Sequence, residues 1–102
     1  MSFAILTPGP QMRAELAGEL TIAQAAETRD ALALALTTSE QLALDLSGLE
    51  EIDVAGLQLL LALARETHPV ALLKPSPPLL RLAGQLRLGE LQSRFANDQE
   101  QP

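Results

Sequence analysis

The chain has 102 residues, 47% of them apolar but with Phe3 and Phe95 as its only aromatics, and a formal net charge of −6. That length suits one domain with an aliphatic core of Leu and Ala. Seven scattered Lys and Arg, without Trp or Tyr, offer neither the basic surface nor the stacking platform that nucleic acid requires, and an anionic membrane surface is disfavoured for the same electrostatic reason.

There is no Cys for a disulfide or thiolate site, no basic segment leading into an apolar one, and no apolar run of the length that spans a bilayer. A cytoplasmic protein without membrane insertion is expected.

In chain order, Phe3 to Leu6 reads as a short edge strand closed by the turn signal Pro8-Gly9-Pro10. Met12 to Leu16 reads as a second strand, broken by Gly18. Thr21 and Gln24 stand at capping-box spacing and predict a helix from Ile22 to about Leu36. Its apolar face carries Ile22, Ala25, Leu32, Ala35 and Leu36, with Ala26, Glu27 and Asp30 opposite. Gln41 to Leu46 alternates with period two, as a strand does. A turn at Ser47-Gly48-Leu49, two acids, Glu50 and Glu51, and Ile52 follow.

From Val54 the periodicity becomes helical. Asp53 is a strong N-cap there, because its carboxylate accepts from backbone N–H groups two or three residues on and sits at the positive end of the dipole. On a wheel of 100° per residue, Val54, Leu57, Leu60, Leu61, Leu63 and Ala64 share a broad apolar arc. Ala55, Gln58, Ala62, Arg65 and Glu66 form the exposed stripe, with Leu59 at its edge. Gly56, lacking a side chain, lets another backbone come close. His68-Pro69 marks the stop, with His68 read as a residue at the helix C-terminus. Val70 to Leu73 is a short apolar run suited to a buried parallel strand. Ser76-Pro77 opens a helix carrying Leu79, Leu80, Leu82, Ala83 and Leu86. Gly89 interrupts it before a last short helix with Leu91 and Phe95.

Strands alternating with helices predict an α/β fold with a mixed, mostly parallel sheet of about four strands. The right-handed crossover rule sets Gln41–Leu46 parallel to Val70–Leu73. One domain is expected over residues 1–95, with 96–102 a polar, disordered tail. No catalytic residue, metal site or cofactor is expected. His68 has no second His and no Cys beside it, and Glu50, Glu51 and Asp53 read as a solvated loop and a cap. No phosphate-binding glycine loop, nucleophile elbow or kinase motif occurs.

DLSGLEEIDVAGLQLLL, from Asp45 to Leu61, resembles the signature of the STAS domain, the fold of bacterial anti-sigma factor antagonists. GELTIAQAAE, Gly18 to Glu27, and SPPLLRLAGQLRLGEL, Ser76 to Leu91, also resemble that family. The resemblance implies a STAS-like domain that binds a protein partner, such as a kinase-like anti-sigma factor, through Thr21, Asp53, Val54, Ala55, Gly56, Gln58 and Leu59. It also exposes a departure. Regulated antagonists have a phosphorylated serine at the position matching Ala55. A lipid-transport branch of the family, whose STAS protein is a subunit of an ABC-type complex, has a threonine at the position matching Val54. Neither hydroxyl is present here.

Overall fold

The computed structural model describes residues 2–99. Four strands and four helices follow one another in the order β1 (Ser2–Thr7), β2 (Gln11–Leu20), α1 (Ile22–Thr37), β3 (Gln41–Ile52), α2 (Val54–Ala64), β4 (Val70–Leu73), α3 (Pro77–Gln85) and α4 (Gly89–Gln99). The sheet has the order β1-β2-β3-β4. β1 is antiparallel to β2, while β2–β3 and β3–β4 are parallel, as the crossover argument requires. The predicted mixed, mostly parallel α/β sheet is thus what forms. The tail expected from residue 96 coincides in part with α4, which continues to Gln99, and in part, over residues 100–102, lies outside the described residues.

Register explains where the core lies. Met12, Leu42 and Val70 stand side by side across the sheet, as do Ala14, Leu44 and Leu72, and all six are buried. The opposite face carries Arg13, Glu15, Ala43, Asp45, Ala71 and Leu73, none of which is buried. The molecule therefore has two layers, with helices on one face of the sheet and the other face open among the described residues.

Two sequence expectations about strand length fail. Gly18 does not break β2, and Ser47-Gly48-Leu49 is not a turn. β2 continues to Leu20 and β3 to Ile52, paired throughout. The register slips twice, between Glu15 and Ala17 and between Gly18 and Glu19, each time with an extra residue on β3. These bulges resolve a conflict in the pattern: Leu46 and Leu49 are three apart, so a regular strand would point them to opposite faces. One bulged residue restores the phase, and both are buried. Gly18, at φ 82, supplies the left-handed conformation at the second slip. Asp45 steadies the first, its Oδ1 accepting from the Ser47 N–H and hydroxyl at 2.8 and 2.7 Å.

The helix wheels need rephasing. In α1 the buried residues are Thr28, Leu32 and Ala35; Ile22, roughly 110° from the centre of that arc at 100° per residue, is 74% exposed. In α2 the buried set is Gly56, Leu57, Leu60, Leu63 and Ala64. Its centre lies near Leu60, so Val54 sits off it and is 49% exposed. Ser76 holds the N-cap position of α3 but its hydroxyl makes no cap bond, and Pro78 brings no N–H to the second helical position. His68 lies beyond the end of α2 and its Nε2 meets Ser39 Oγ at 3.3 Å.

At the same C-terminal end of α2, Arg94 donates from Nη1 to the Ala64 carbonyl at 2.6 Å and from Nη2 to the Val70 carbonyl. One guanidinium thereby satisfies a helix-end acceptor and a strand-start acceptor together. With Leu91 and Phe95 fully buried, it fastens α4 to the core.

Candidate docking surface at two helix starts

β2 and β3 run parallel and end side by side, with Leu20 opposite Ile52. The ends of parallel strands are where helices begin and where ligands of α/β sheets gather. Here two helices start together. Asp53 Oδ1 accepts from the Gly56 N–H at 3.0 Å, the cap bond expected for α2. Its second oxygen, Oδ2, accepts from the Ile22 N–H at 2.9 Å, which is the first residue of α1. One carboxylate therefore caps two helices, its own and one whose first residue lies 31 positions earlier in the chain. Thr21 completes the α1 start: Gln24 Oε1 accepts from its N–H at 3.0 Å and from its hydroxyl at 2.7 Å.

These bonds hold the Asp53 carboxyl below its ordinary value, the Gly56 N–H first and the Ile22 N–H next. Because the folded pKa is depressed, the stabilisation is complete above the unfolded value of about 4 and is lost as pH falls through the folded one. Asp53→Ala should cost about 1–3 kcal/mol in urea unfolding at pH 7. Asp53→Asn, which keeps an acceptor for only one of the two N–H groups, should fall between it and the parent. The gap between the parent and Asp53→Ala should shrink below about pH 4. Equal stability of the two proteins at pH 7 would remove the double-cap role.

Gly56 is the close-approach residue. A Cβ there would lie 2.2 Å from the Leu20 carbonyl oxygen and 2.9 Å from Leu20 Cγ. The α2 start is thus pressed onto the end of β2, and the Asp53 N–H points at the same Leu20 oxygen at 3.4 Å.

Of the seven residues singled out from sequence, Asp53, Thr21, Ala55 and Leu59 are half-buried, Val54 and Gln58 are exposed, and Gly56 is buried. Sequence reasoning assigned Ile22 to the core and so missed it here. It stands beside Asp53, with Val54 on the same carboxylate's other flank. The signal available for it was its place directly after the capping box, past the end of the strand. Glu19, Glu50 and Glu51 are exposed around this rim, Glu19 opposite Glu51 across the two strands. A groove of about 290 Å³ runs from Glu50, Glu51 and Ile52 to Pro78, Arg81 and Leu82 of α3. The described residues contain no group of three or more His, Cys, Asp or Glu that could hold a metal ion. No helix among them is long and apolar enough to cross a membrane.

With this geometry established, the sequence matches the family model described as "Mlab, STAS domain" over residues 5–93. The chain belongs to the STAS domain family. Among solved structures, this STAS domain is similar to the anti-sigma factor antagonist SpoIIAA in its unphosphorylated form, with a TM-score of 0.67 and 22% identity over 86% of this chain and 83% of that one. It is also similar to the Bacillus cell fate determinant SpoIIAA in the phosphorylated form, with a TM-score of 0.63 and 23% identity over 86% of each chain. At such identities the likeness is one of fold. No match was found among curated proteins.

Proposed function

We propose that this STAS domain is a non-catalytic bacterial signalling module that acts in the cytoplasm like an anti-sigma factor antagonist, docking on a kinase-like regulatory protein through the Asp53–Leu59 helix start. The observation that carries the reading is the doubly bonded Asp53, which fixes Val54 and Ile22 as exposed apolar residues on one rim. That rim, bounded by Glu19, Glu50 and Glu51, fits a partner face that is apolar at its centre and basic at its edge.

The module lacks a phosphorylatable hydroxyl at the family's usual position. SpoIIAA has a phosphorylated form; here Ala55 ends in a methyl group and Val54 in two, and neither accepts phosphate. Phosphorylation adds about 1.5 to 2 negative charges and bulk, which beside Asp53 would oppose docking. Without it the domain is permanently competent, and control falls to expression, to the partner, or to another hydroxyl. Thr21 and Ser47 are both hydrogen-bonded to neighbouring side chains.

The test is to incubate the purified chain with its kinase-like partner and ATP and weigh it intact. The mass should not change; a stoichiometric phosphate adduct would overturn constitutive competence. Ala55→Glu should weaken partner capture because it sets charge and bulk on the surface. Undiminished capture by a folded Ala55→Glu chain would move the interface elsewhere.

A second reading is a STAS subunit of an ABC-type lipid-transport complex. Val54 favours it, since valine is isosteric with that branch's threonine and its exposed side chain keeps the shape while losing the hydroxyl. Co-purification with an ABC ATPase and permease, rather than with a kinase-like protein, would select it.

A further inference from the structure

We infer that β1 is a self-association edge: two copies of this chain pair β1 to β1, antiparallel about a two-fold axis, and join their sheets into one of eight strands. β1 hydrogen-bonds to β2 alone and forms one edge of the sheet, so its outer backbone donors and acceptors face away from any strand among the described residues. Ser2–Thr7 holds no charged residue and no Pro, two of the usual protections of a free edge. Ile5 is 47% and Leu6 54% exposed. The other edge is unlike it: β4 has four residues, two of them buried, and Lys74 at φ 50 turns the chain directly after it.

A second copy fits this edge because the edge carries no charge. At −6, two copies repel across most of their surfaces. Three elements carry no ionisable residue, β1, α2 and β4, and of these β1 alone has no buried residue. When β1 meets β1, the ionisable side chains of β2, Arg13, Glu15 and Glu19, stand three strand spacings from their counterparts. That is about 14 Å, beyond the screening length of about 8 Å at physiological salt. A two-fold axis makes the edge its own complement. Ile5 opposes Ala14 and Thr7 opposes Arg13, so Leu6 is bulged and straight pairing is confined to Ser2–Ile5. So short a contact belongs below about 1,000 Å², the class of weak, reversible dimers.

Sedimentation equilibrium of the whole chain at physiological salt tests this between about 10 μM and about 1 mM, where a contact this small associates. The mean mass should rise from one chain toward two. Ile5→Lys and Leu6→Lys should each move the midpoint at least about tenfold higher, as charges close to their symmetry mates repel, while Ala55→Glu should leave it in place. Hydrogen exchange of the β1 amides in the unmodified chain should slow as concentration rises. A mass of one chain throughout overturns the inference, as does a dimer that both Lys variants leave intact or that Ala55→Glu breaks. Should the Lys variants misfold, exchange decides: β1 protection independent of concentration overturns it equally.

Discussion

Gly56→Ala should lower stability by about 3 kcal/mol, a fall in Tm of roughly 10–20 °C for a domain of this size. The sign is the informative part. In an ordinary helix interior the same change stabilises by about 1 kcal/mol, because alanine is the better helix former. Here the new methyl would meet the Leu20 carbonyl oxygen at 2.2 Å and the Leu20 carbonyl carbon at 3.0 Å. Those are backbone atoms at the end of a paired strand, and no rotamer change can move them aside. Gly84 in α3 is the internal control, since a Cβ there meets only the Gln92 side chain, at 3.7 Å. Gly84→Ala should be neutral or stabilising in thermal melts. If Gly56→Ala melts at or above the parent, α2 does not press on β2 as described.

Leu60→Ala should cost about 2–5 kcal/mol, the lost transfer energy plus the cavity left behind. Leu60 is fully buried at the centre of the α2 arc, among Leu57, Leu63 and Ala64. Against a total of about 5–15 kcal/mol for a domain, that single truncation removes a large part of the margin. Leu34→Ala, on the 67% exposed side of α1, should change stability by less than about 0.5 kcal/mol. Urea titrations of the two variants give the comparison. A neutral Leu60→Ala would mean that this arc faces outward.

Much of the architecture was legible in local patterns. Period-two alternation marked β3 from Gln41, the shift of period at Asp53 marked the start of α2, and the strand–helix alternation marked the class of fold. What stayed hidden depends on partners distant in sequence. The bulges at Ala17–Gly48 and Glu19–Glu51 exist only in the pairing of β2 with β3; read on β3 alone, Ser47-Gly48-Leu49 carries the composition of a turn. The depth of a helix residue depends on which neighbour covers it, so apolar Ile22 and Val54 were placed inward by a wheel that ignores helix ends overhanging the sheet. Arg94 gave no signal at all, since its acceptors are backbone carbonyls, and any residue offers those. In the site, the cap on Gly56 was predictable from Asp53, and the bond to Ile22 was not, because nothing in the residue types announces a partner so far along the chain.

That shared carboxylate bears on the entropy of recognition. Helix ends ordinarily fray, and a surface assembled from two of them would have to be ordered when a partner arrives, lowering affinity. Asp53 ties both first turns to a single side chain, and Gly56 seats that assembly on the end of β2. Most of the ordering is thereby completed when the chain folds. In the proposed docking, a partner would meet a surface already ordered, so that complementarity of shape and charge, rather than a search for the right conformation, would govern how tightly it is held.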